Sequence, residues 1–450
     1  MNLNNGGENS ESKQRNIKKD VCCRNHHSSS TLSRNYGVIT YNIILYWTLG
    51  RAISVFVDCF DGWVDMKYKY LAISTVVLVS LLIGSLFVYY HVFANGTSTA
   101  PKIYVGVEIG ASNVTAVESQ INQVSGYTNL IVIGSTGITS NQTALQQVCQ
   151  YAYDRNMYFI IYATSAYSTG SYWLKTAYNA KVAWGNNFLG LYAGDEAGGK
   201  QLDTPKTSGS NPLNFFNPEE TPNNYSDAEA QFVNLQSSLL NGVSGGANVP
   251  LYTSDYALYW FDYKAGYDTV FTEFGWNNSR QMDVALCRGA ATVQGKDWGA
   301  MITWTYDQPP YLENGTQLYS DMKLAYDNGA SYIVVFDDDG NGDAILGANQ
   351  LNAMQQFWQY AKTHSQATSQ SSDRIAYVLP DAYGYGFRGL NDSIWGYWQA
   401  DNFSDQQFTN VNNALQQYGG KLDVIYDDPS FPNYASMYSK LIYWNGTIAP

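Results

Sequence analysis

From residue 102 onward, short apolar runs rich in β-branched and aromatic residues alternate with longer segments whose apolar positions recur every three or four residues. The short runs predict buried β-strands, and the longer segments predict amphipathic helices. Eight predicted strands follow one another in this way: KIYVGVEIG (102–110), TNLIVIGS (128–135), MYFIIYAT (157–164), FLGLYAG (188–194), VPLYTSDY (249–256), DTVFTEFG (268–275), GAMITWTY (299–306) and SYIVVFDD (331–338). Such regular alternation is typical of a parallel sheet built from βα units.

The number of repeats favours a closed barrel. Several of the predicted helices begin at a residue that prefers the N-cap position, such as Asn141, Ser226 and Ser279. Eight strands and eight helical segments within residues 100–365 therefore predict a (β/α)8 TIM barrel of the α/β class. A doubly wound open sheet is the alternative. No glycine-rich dinucleotide fingerprint follows the first strand, and we predict no cofactor.

Two segments lie outside this regular pattern. The loop 197–225 follows the fourth strand and is long and rich in Pro, Gly and Asn, as functional loops of compact domains often are. After the eighth helix, the polar linker SQATSQSSD (365–373) precedes a second apolar unit. We predict that residues 374–450 form a small α/β module beside the barrel.

Residues 71–94, upstream of the barrel, contain no Asp, Glu, Lys or Arg. This stretch is long enough to cross a bilayer as a helix, and we predict a single transmembrane anchor. Lys67 and Lys69 precede it, so the positive-inside rule predicts that residues 1–66 are cytoplasmic and that the barrel is extracellular. An alternative is that translation begins at Met66, because MKYKYLAIS already resembles the start of a signal anchor.

Glycosylation sequons agree with this orientation. Nine Asn-X-Ser/Thr tripeptides follow the predicted span, and none precedes it; they begin at Asn95, Asn113, Asn141, Asn224, Asn277, Asn314, Asn391, Asn402 and Asn445. Such sites are modified only on exported surfaces. The asymmetry favours an external glycoprotein at the cell membrane.

Charge and cysteine content narrow the possible partners. Residues 96–450 carry 16 basic and 32 acidic side chains, whereas binding to nucleic acid needs a clustered basic surface. We therefore predict no nucleic-acid partner.

Cys149 and Cys287 are the two cysteines of this region and lie in different predicted helices, so we predict two buried free thiols. The sequence does not predict an oligomeric state.

Polar residues gather where the predicted strands end. In a TIM barrel these ends meet at one mouth, which is where active sites lie. The candidate acidic residues are Glu108, Asp195, Glu196, Asp255, Glu273, Asp307 and Asp337, and the accompanying aromatic residues include Tyr192, Trp276, Trp304 and Tyr306. Carboxylates that bond hydroxyl groups, beside flat rings that stack on sugar faces, suit a carbohydrate ligand.

The dipeptide Asp195-Glu196 ends the apolar run FLGLYAG. Hydrolysis of a glycosidic bond needs one carboxylic acid that protonates the leaving oxygen and a second negative group near the anomeric carbon. This strand-four pattern resembles that of barrel glycoside hydrolases of the β-hexosaminidase type. The resemblance implies that Glu196 is the general acid and that Asp195 orients the acetamido group of the substrate. Other barrel glycosidases pair a strand-four carboxylate with one on strand six or seven, which here implies Glu273 or Asp307.

Two other chemistries are weaker alternatives. The acidic stretch FDDDGNGDA (336–344) resembles a calcium loop but lacks its terminal Glu, and we predict no metal site. His364 is the one histidine after residue 96, so a histidine-based triad at the mouth is not predicted.

We predict a membrane-anchored glycoside hydrolase acting on an envelope or environmental polysaccharide; the alternative is a non-catalytic carbohydrate-binding or structural surface glycoprotein.

Overall fold

The structure is a computed structural model of the 450-residue chain, and it describes residues 103–163, 170–203, 221–366 and 373–449. The predicted transmembrane anchor at 71–94 and the segment 1–66 lie outside these ranges. Within them, no helix is both long and apolar enough to cross a membrane.

Eight parallel strands close into a barrel in chain order, as the sequence predicts. The strands are β1 Tyr104–Ile109, β2 Leu130–Ile133, β3 Tyr158–Ala163, β4 Phe188–Ala193, β5 Leu251–Asp255, β6 Thr269–Phe274, β7 Asp297–Ile302 and β8 Tyr332–Asp337. The first and last strands pair along their whole length, with Glu108 opposite Phe336. The α/β barrel class is therefore confirmed.

Helices connect consecutive strands around the outside of this barrel. Their bounds are α1 Val114–Val124, α2 Thr136–Thr139, α3 Gln142–Asp154, α4 Gly170–Trp184, α5 Ala197–Asp203, α6 Tyr225–Ser244, α7 Tyr259–Ala265, α8 Arg280–Gln294, α9 Gly315–Asp327 and α10 Ala348–Thr363. Asn141 and Ser279 cap α3 and α8 as predicted, because their side-chain oxygens accept the first free backbone N–H groups. Helix α6 starts earlier than predicted, since Asn224 is its N-cap rather than Ser226.

Large side chains fill the inside of the barrel. Alternate residues of each strand point inward, and those that form this interior cluster include Tyr192, Tyr252, Phe271, Met301 and Tyr332. The hydroxyl groups of Tyr252 and Tyr332 lie 3.1 Å apart, which satisfies both phenols inside the barrel. The barrel is therefore a packed core, and space for a ligand remains at the ends of the strands.

Residues 373–449 form the predicted small module. Its strands are β9 Ile375–Leu379, β10 Leu422–Tyr426, β11 Lys440–Tyr443 and β12 Ile448–Ala449, in the sheet order β10-β9-β11-β12, and its helix is α11 Asn402–Tyr418. A buried ion pair joins it to the barrel: Arg288 of α8 donates to Asp423 of β10 at 2.6 Å. Arg374 contacts the same carboxylate at 3.3 Å. The module therefore contacts the barrel through buried side chains.

The two cysteines follow the prediction. Cys149 on α3 and Cys287 on α8 are buried and free. Burial raises the pKa of the Cys287 thiol well above its usual range, because a thiolate would lose its hydration there. Both side chains therefore act as small apolar groups of the helix–barrel interface.

Candidate active site

A cavity of 420 Å³ lies at the C-terminal ends of the barrel strands. The residues that line it are Glu108, Gly110, Gly134, Tyr162, Tyr192, Asp195, Glu196, Ser254, Glu273, Trp276, Met301, Thr303, Trp304, Phe336, Asp338 and Gly340. Most of the strand residues among them occupy the inward-pointing positions that continue the interior cluster. The cavity is thus the open upper layer of the barrel, and it combines carboxyl groups with aromatic side chains.

Glu196 and Glu273 approach each other in this cavity. Glu273 points inward from β6 and is buried, while Glu196 lies two residues beyond the glycine that ends the fourth apolar run. The two side chains are close enough that each shifts the pKa of the other. Ser254 of β5 donates a further hydrogen bond to Glu273 Oε1 at 2.5 Å. Two carboxyl groups from non-adjacent strands therefore meet in one pocket.

Tyr192 and Asp195 extend this network. The Tyr192 hydroxyl donates to Asp195 Oδ1 at 2.9 Å and accepts a hydrogen bond from the Ser254 backbone N–H at 3.1 Å. The hydroxyl groups of Tyr192 and Ser254 are 2.7 Å apart. Ser254 thus connects the Glu273 side of the cavity with the Asp195 side, and a buried network of this kind fixes the positions of its members.

The surroundings of the carboxyl groups raise their pKa values. Burial, followed by the charges of Glu196 and Asp195, raises the pKa of Glu273 well above its ordinary value. Burial, followed by the charges of Asp195 and Asp338, raises the pKa of Glu108 to about 8. Burial and Asp195 also raise the pKa of Glu196, but there a cation acts in the opposite direction. Perturbed carboxyl groups in a cleft are typical of functional sites.

That cation is Lys200, which lies one turn further along on α5. Its ammonium group is 3.0 Å from Glu196 Oε2 and 3.3 Å from Asp195 Oδ2. The ion pair lowers the pKa of Glu196 against the effect of burial. Glu196 is thus the member of the pair that more readily carries the negative charge, and Glu273 is the member that retains the proton.

The backbone around Glu196 is held in an unusual conformation. Its φ is +54°, a left-handed value that costs a residue with a side chain roughly 1–2 kcal/mol. The Glu196 N–H donates to the Ser254 carbonyl at 2.9 Å, so strand β5 holds the turn in place. A Cβ on Gly198 would lie 2.4 Å from the Ala257 carbonyl oxygen, which explains why residue 198 is a glycine. Neighbouring structure thus imposes the direction of the Glu196 side chain.

Two tryptophans form the apolar part of the site. Trp304 lines the cavity and donates its indole N–H to the Asp338 carbonyl at 2.9 Å. Trp276 also lines it, has a left-handed φ of +49°, and is 45% exposed to solvent. An exposed indole held by an unfavourable backbone geometry is available for stacking on a ligand.

Several of the predicted site residues do not reach this cavity. Asp255 is fully buried on the outer side of β5, where it accepts hydrogen bonds from the backbone N–H groups of Gly198 and Gly199 at the start of α5. Asp337 is equally buried and accepts from the N–H groups of Ile345 and Leu346. The prediction that Asp255 and Asp337 bind substrate was wrong in placement, because both carboxylates hold loops behind the site.

Asp307 and Tyr306 also lie away from the cavity. Strand β7 ends at Ile302, four residues earlier than predicted, so both residues belong to the exposed loop that follows. Neither lines the mouth cavity. Their predicted roles as a catalytic carboxylate and a sugar-binding ring therefore find no support in the geometry.

The sequence analysis missed the cavity residue Ser254 and, within the acidic stretch 336–344, favoured Asp337 over the cavity residue Asp338. Each directly neighbours a residue that was chosen, Asp255 or Asp337. The signal that could have found them is the alternation of side chains along a strand, in which every second residue points inward. Tyr252 points inward, which predicts that Ser254 does so too. Val334 predicts the same for Asp338. Glu108, Tyr192 and Glu273 satisfy this rule, and all three line the cavity.

No site in the described ranges groups three or more metal-ligating side chains. The carboxylates of the acidic stretch after β8 instead accept hydrogen bonds from backbone N–H groups of the same stretch. Asp338 Oδ1 accepts from the N–H groups of Gly340 and Gly342, and Asp339 Oδ1 accepts from those of Asn341 and Asp343. Such contacts are typical of tight Asx turns.

No protein-family model matches this chain, and no curated protein matches it. Solved structures similar to it are TIM-barrel glycoside hydrolases. A GH5_18 protein from Streptomyces cattleya in complex with GlcNAc is 11% identical, with a TM-score of 0.49, and the match covers 76% of this chain and 99% of that one. The β-mannanase of the blue mussel Mytilus edulis is 12% identical, with a TM-score of 0.36 and coverages of 60% and 94%.

The α-L-fucosidase isoenzyme 2 of Paenibacillus thiaminolyticus is 8% identical, with a TM-score of 0.43, and the match covers 72% of this chain and 58% of that one. At such low identities and TM-scores, these similarities transfer no activity and no residue role to this chain. The site is therefore interpreted from its own residues.

Proposed function

We propose that this protein is a glycoside hydrolase whose two catalytic carboxyl groups are those of Glu196 and Glu273. The observation that carries the proposal is that these two carboxyl groups line one barrel-mouth cavity and shift each other's pKa. A pair with one protonated and one ionised carboxyl group provides both an acid and an anion, which are the two requirements of glycosidic hydrolysis. Trp276 and Trp304 on the same cavity offer apolar surfaces for a sugar ring.

The unequal surroundings of the two groups assign their roles. Glu273 is buried and has a strongly raised pKa, so it is the proton donor to the glycosidic oxygen. Glu196 pairs with Lys200, so it is the anion that faces the anomeric carbon. This assignment reverses the role that the β-hexosaminidase resemblance implies for Glu196.

The contact between the groups favours a retaining mechanism. Retaining enzymes hold their carboxyl groups about 5–5.5 Å apart, whereas inverting enzymes leave about 6.5–9.5 Å for a water molecule. The close approach of Glu196 and Glu273 in one cavity fits the shorter spacing better than the longer one. In the first step Glu196 forms a bond to the anomeric carbon as Glu273 protonates the departing oxygen. In the second, ionised Glu273 takes a proton from water, and the resulting hydroxyl group displaces Glu196.

Aryl glycosides test these roles with the full-length chain. We expect hydrolysis of a 4-nitrophenyl glycoside from a panel of glucose, mannose, xylose and N-acetylglucosamine derivatives. Glu273→Gln should lose this activity but keep the first step with the matching 2,4-dinitrophenyl glycoside, whose leaving group needs no proton, so that a burst of dinitrophenolate is released before the second step stalls. Glu196→Gln should lose both activities. The opposite pattern in the two variants would exchange the roles, and full activity in both would refute the proposal.

A β-hexosaminidase-type division of labour is an alternative assignment within the same cavity, with Glu196 as the general acid. In that form Asp195 orients an acetamido group of the substrate, which itself attacks the anomeric carbon. The hydrogen bond from Tyr192 to Asp195 supports it, because it holds Asp195 at the cavity. Hydrolysis of N-acetylglucosaminides alone would favour this form. Hydrolysis of glucosides or mannosides, with Glu196 labelled by a 2-fluoro glycoside, would favour the covalent mechanism.

Carbohydrate binding without turnover is the second candidate. The observation that favours it is that Glu196 and Asp195 are both engaged by Lys200 and are thus partly neutralised before any ligand arrives. Isothermal titration with neutral hexasaccharides distinguishes the two functions when it accompanies the aryl glycoside assay. Binding in the absence of any turnover would support this second candidate.

We also propose that the protein is anchored in the cell membrane by residues 71–94, with the barrel outside. The eight sequons within the described ranges support this orientation, because the Asn of each one is exposed to solvent. Four of them, at Asn113, Asn141, Asn224 and Asn314, are helix N-caps whose side-chain oxygen is already hydrogen-bonded. Protease protection in membrane vesicles, with a gel shift after enzymatic deglycosylation, tests the orientation. A barrel accessible only from the cytoplasmic side would refute it.

A further inference from the structure

A second cavity, of 710 Å³, adjoins the first. Glu196 and Trp276 line both, so the two spaces form one cleft that the Trp276 side chain borders. The remaining walls combine barrel residues with a loop of the C-terminal module: Asp203, Tyr256, Asn278, Arg388, Gly389, Leu390, Asn391 and Asp392. The module therefore does more than cover the side of the barrel, because it supplies one wall of this cleft.

Direct contacts fix that wall to the helix that follows Glu196. Arg388 donates from one guanidinium nitrogen to both Asp203 carboxylate oxygens at 2.8 Å, and from its other nitrogens to Asp392 at 2.6 and 2.9 Å. Gln201 of α5 donates to the Trp395 carbonyl at 2.9 Å. Because Asp203 and Gln201 both lie on α5, the wall and the catalytic turn are held in one position relative to each other.

The chemistry of the second cavity suits a neutral sugar. Leu390 is exposed to the same extent as Trp276, 45%, so apolar surface is present on the module wall and on the barrel wall. Asn278 and Asn391 add amide groups, which bond hydroxyl groups in either direction. Among the described residues of this lining Arg388 is the one cation; it is already engaged by two carboxylates, and Glu196 is close by. A ligand with a carboxylate or phosphate would be repelled here.

We propose that the loop 388–392 of the C-terminal module forms a second sugar-binding subsite, continuous with the catalytic cavity. The substrate is then a neutral chain of several sugar residues rather than a terminal monosaccharide, with Trp276 at the junction of the two subsites. This inference rests on the proposed function for its catalytic subsite. The contribution of the module wall, however, is measurable as binding alone.

The test uses the full-length chain made in bacteria, so that the Asn391 sequon carries no glycan. Cellohexaose, mannohexaose, xylohexaose and chitohexaose are the probes, with hexagalacturonic acid as the charged comparison. We expect one neutral hexasaccharide to bind at least 10-fold more tightly than its disaccharide, and the charged one not to bind. Leu390→Ala should weaken hexasaccharide binding about 5-fold, the range expected for truncating one apolar contact. Ile448→Ala on β12, also an exposed apolar residue of the module, is the matched control and should change nothing.

Kinetics separate this inference from the proposed function. If the chain is an active hydrolase, Leu390→Ala should lower the ratio of kcat/KM for the hexasaccharide to kcat/KM for the aryl monoglycoside. If the chain binds hexasaccharides in a Leu390-dependent manner but hydrolyses nothing, the subsite stands and the hydrolase proposal fails. Equal affinity for disaccharide and hexasaccharide, or Leu390→Ala indistinguishable from Ile448→Ala, would overturn the subsite.

Discussion

Glu108 offers a direct test of the electrostatics of the mouth. Its carboxyl group is 8% exposed, and its pKa is raised to about 8 from an ordinary value of 4.5. Burial is the largest cause of this shift, and the charges of Asp195 and Asp338 add to it. At neutral pH the folded protein therefore holds a neutral acid where the unfolded chain has a carboxylate. The substitution Glu108→Gln replaces that acid with a neutral group of almost the same shape.

The size of the effect follows from proton linkage. Between pH 4.5 and 8 the folded state binds more protons at Glu108 than the unfolded state, so the free energy of unfolding falls as pH rises. Each pKa unit corresponds to about 1.4 kcal/mol, which gives a loss of about 3 kcal/mol at pH 7 and about 5 kcal/mol above pH 8. Glutamine does not titrate, so Glu108→Gln should escape this loss.

Urea unfolding of both proteins at pH 4 and at pH 7 measures this difference. We expect the stability of Glu108→Gln relative to the wild type to increase by about 3 kcal/mol between the two pH values. Comparing two pH values removes any constant packing effect of the amide. Asp307→Asn in the exposed loop is the control and should change by less than about 0.5 kcal/mol. A relative stability of Glu108→Gln that does not vary with pH would show that the acid is ionised in the folded state, and would refute the reasoning.

Three further changes test other contacts of the structure. Asp423→Asn should lower the free energy of unfolding by about 3–5 kcal/mol in urea, because it leaves the buried guanidinium groups of Arg288 and Arg374 without their counterion; unchanged stability would contradict this. Asp255→Ala should lower kcat of the hydrolase far more than it raises KM, because α5 loses its anchor beneath Glu196; equal effects on both would argue for direct substrate contact. Lys200→Met should move the acidic limb of the kcat/KM profile to higher pH, because the cation that lowers the Glu196 pKa is gone; an unmoved limb would contradict this.

The barrel itself was predictable because its signal is local and repeated. Each strand is a short apolar run, and several of the helices between them begin at a capping residue, so eight weak signals agree on one architecture. The candidate carboxylates were found by their position at strand ends. Errors arose where a strand end holds two adjacent polar residues. At Ser254-Asp255 and Asp337-Asp338 a shift of one residue separates the cavity from the outer layer, and the outward residue was chosen.

Other features depend on contacts between distant parts of the chain. Arg388 and Asp203 are 185 positions apart, and no pattern around either residue predicts that they meet. The wall that the module adds to the cleft follows from this contact and was not foreseen. The approach of Glu196 to Glu273 depends in the same way on the closure of the barrel, which brings the ends of β4 and β6 to one cavity.

The most direct measurement is the turnover of 4-nitrophenyl and 2,4-dinitrophenyl glycosides by the wild type, Glu196→Gln and Glu273→Gln. The two-carboxylate site predicts that the wild type hydrolyses both substrates of one sugar, that Glu273→Gln releases a burst of phenolate from the dinitrophenyl substrate alone, and that Glu196→Gln releases phenolate from neither. Turnover of the 4-nitrophenyl substrate by both variants at the wild-type rate would contradict it.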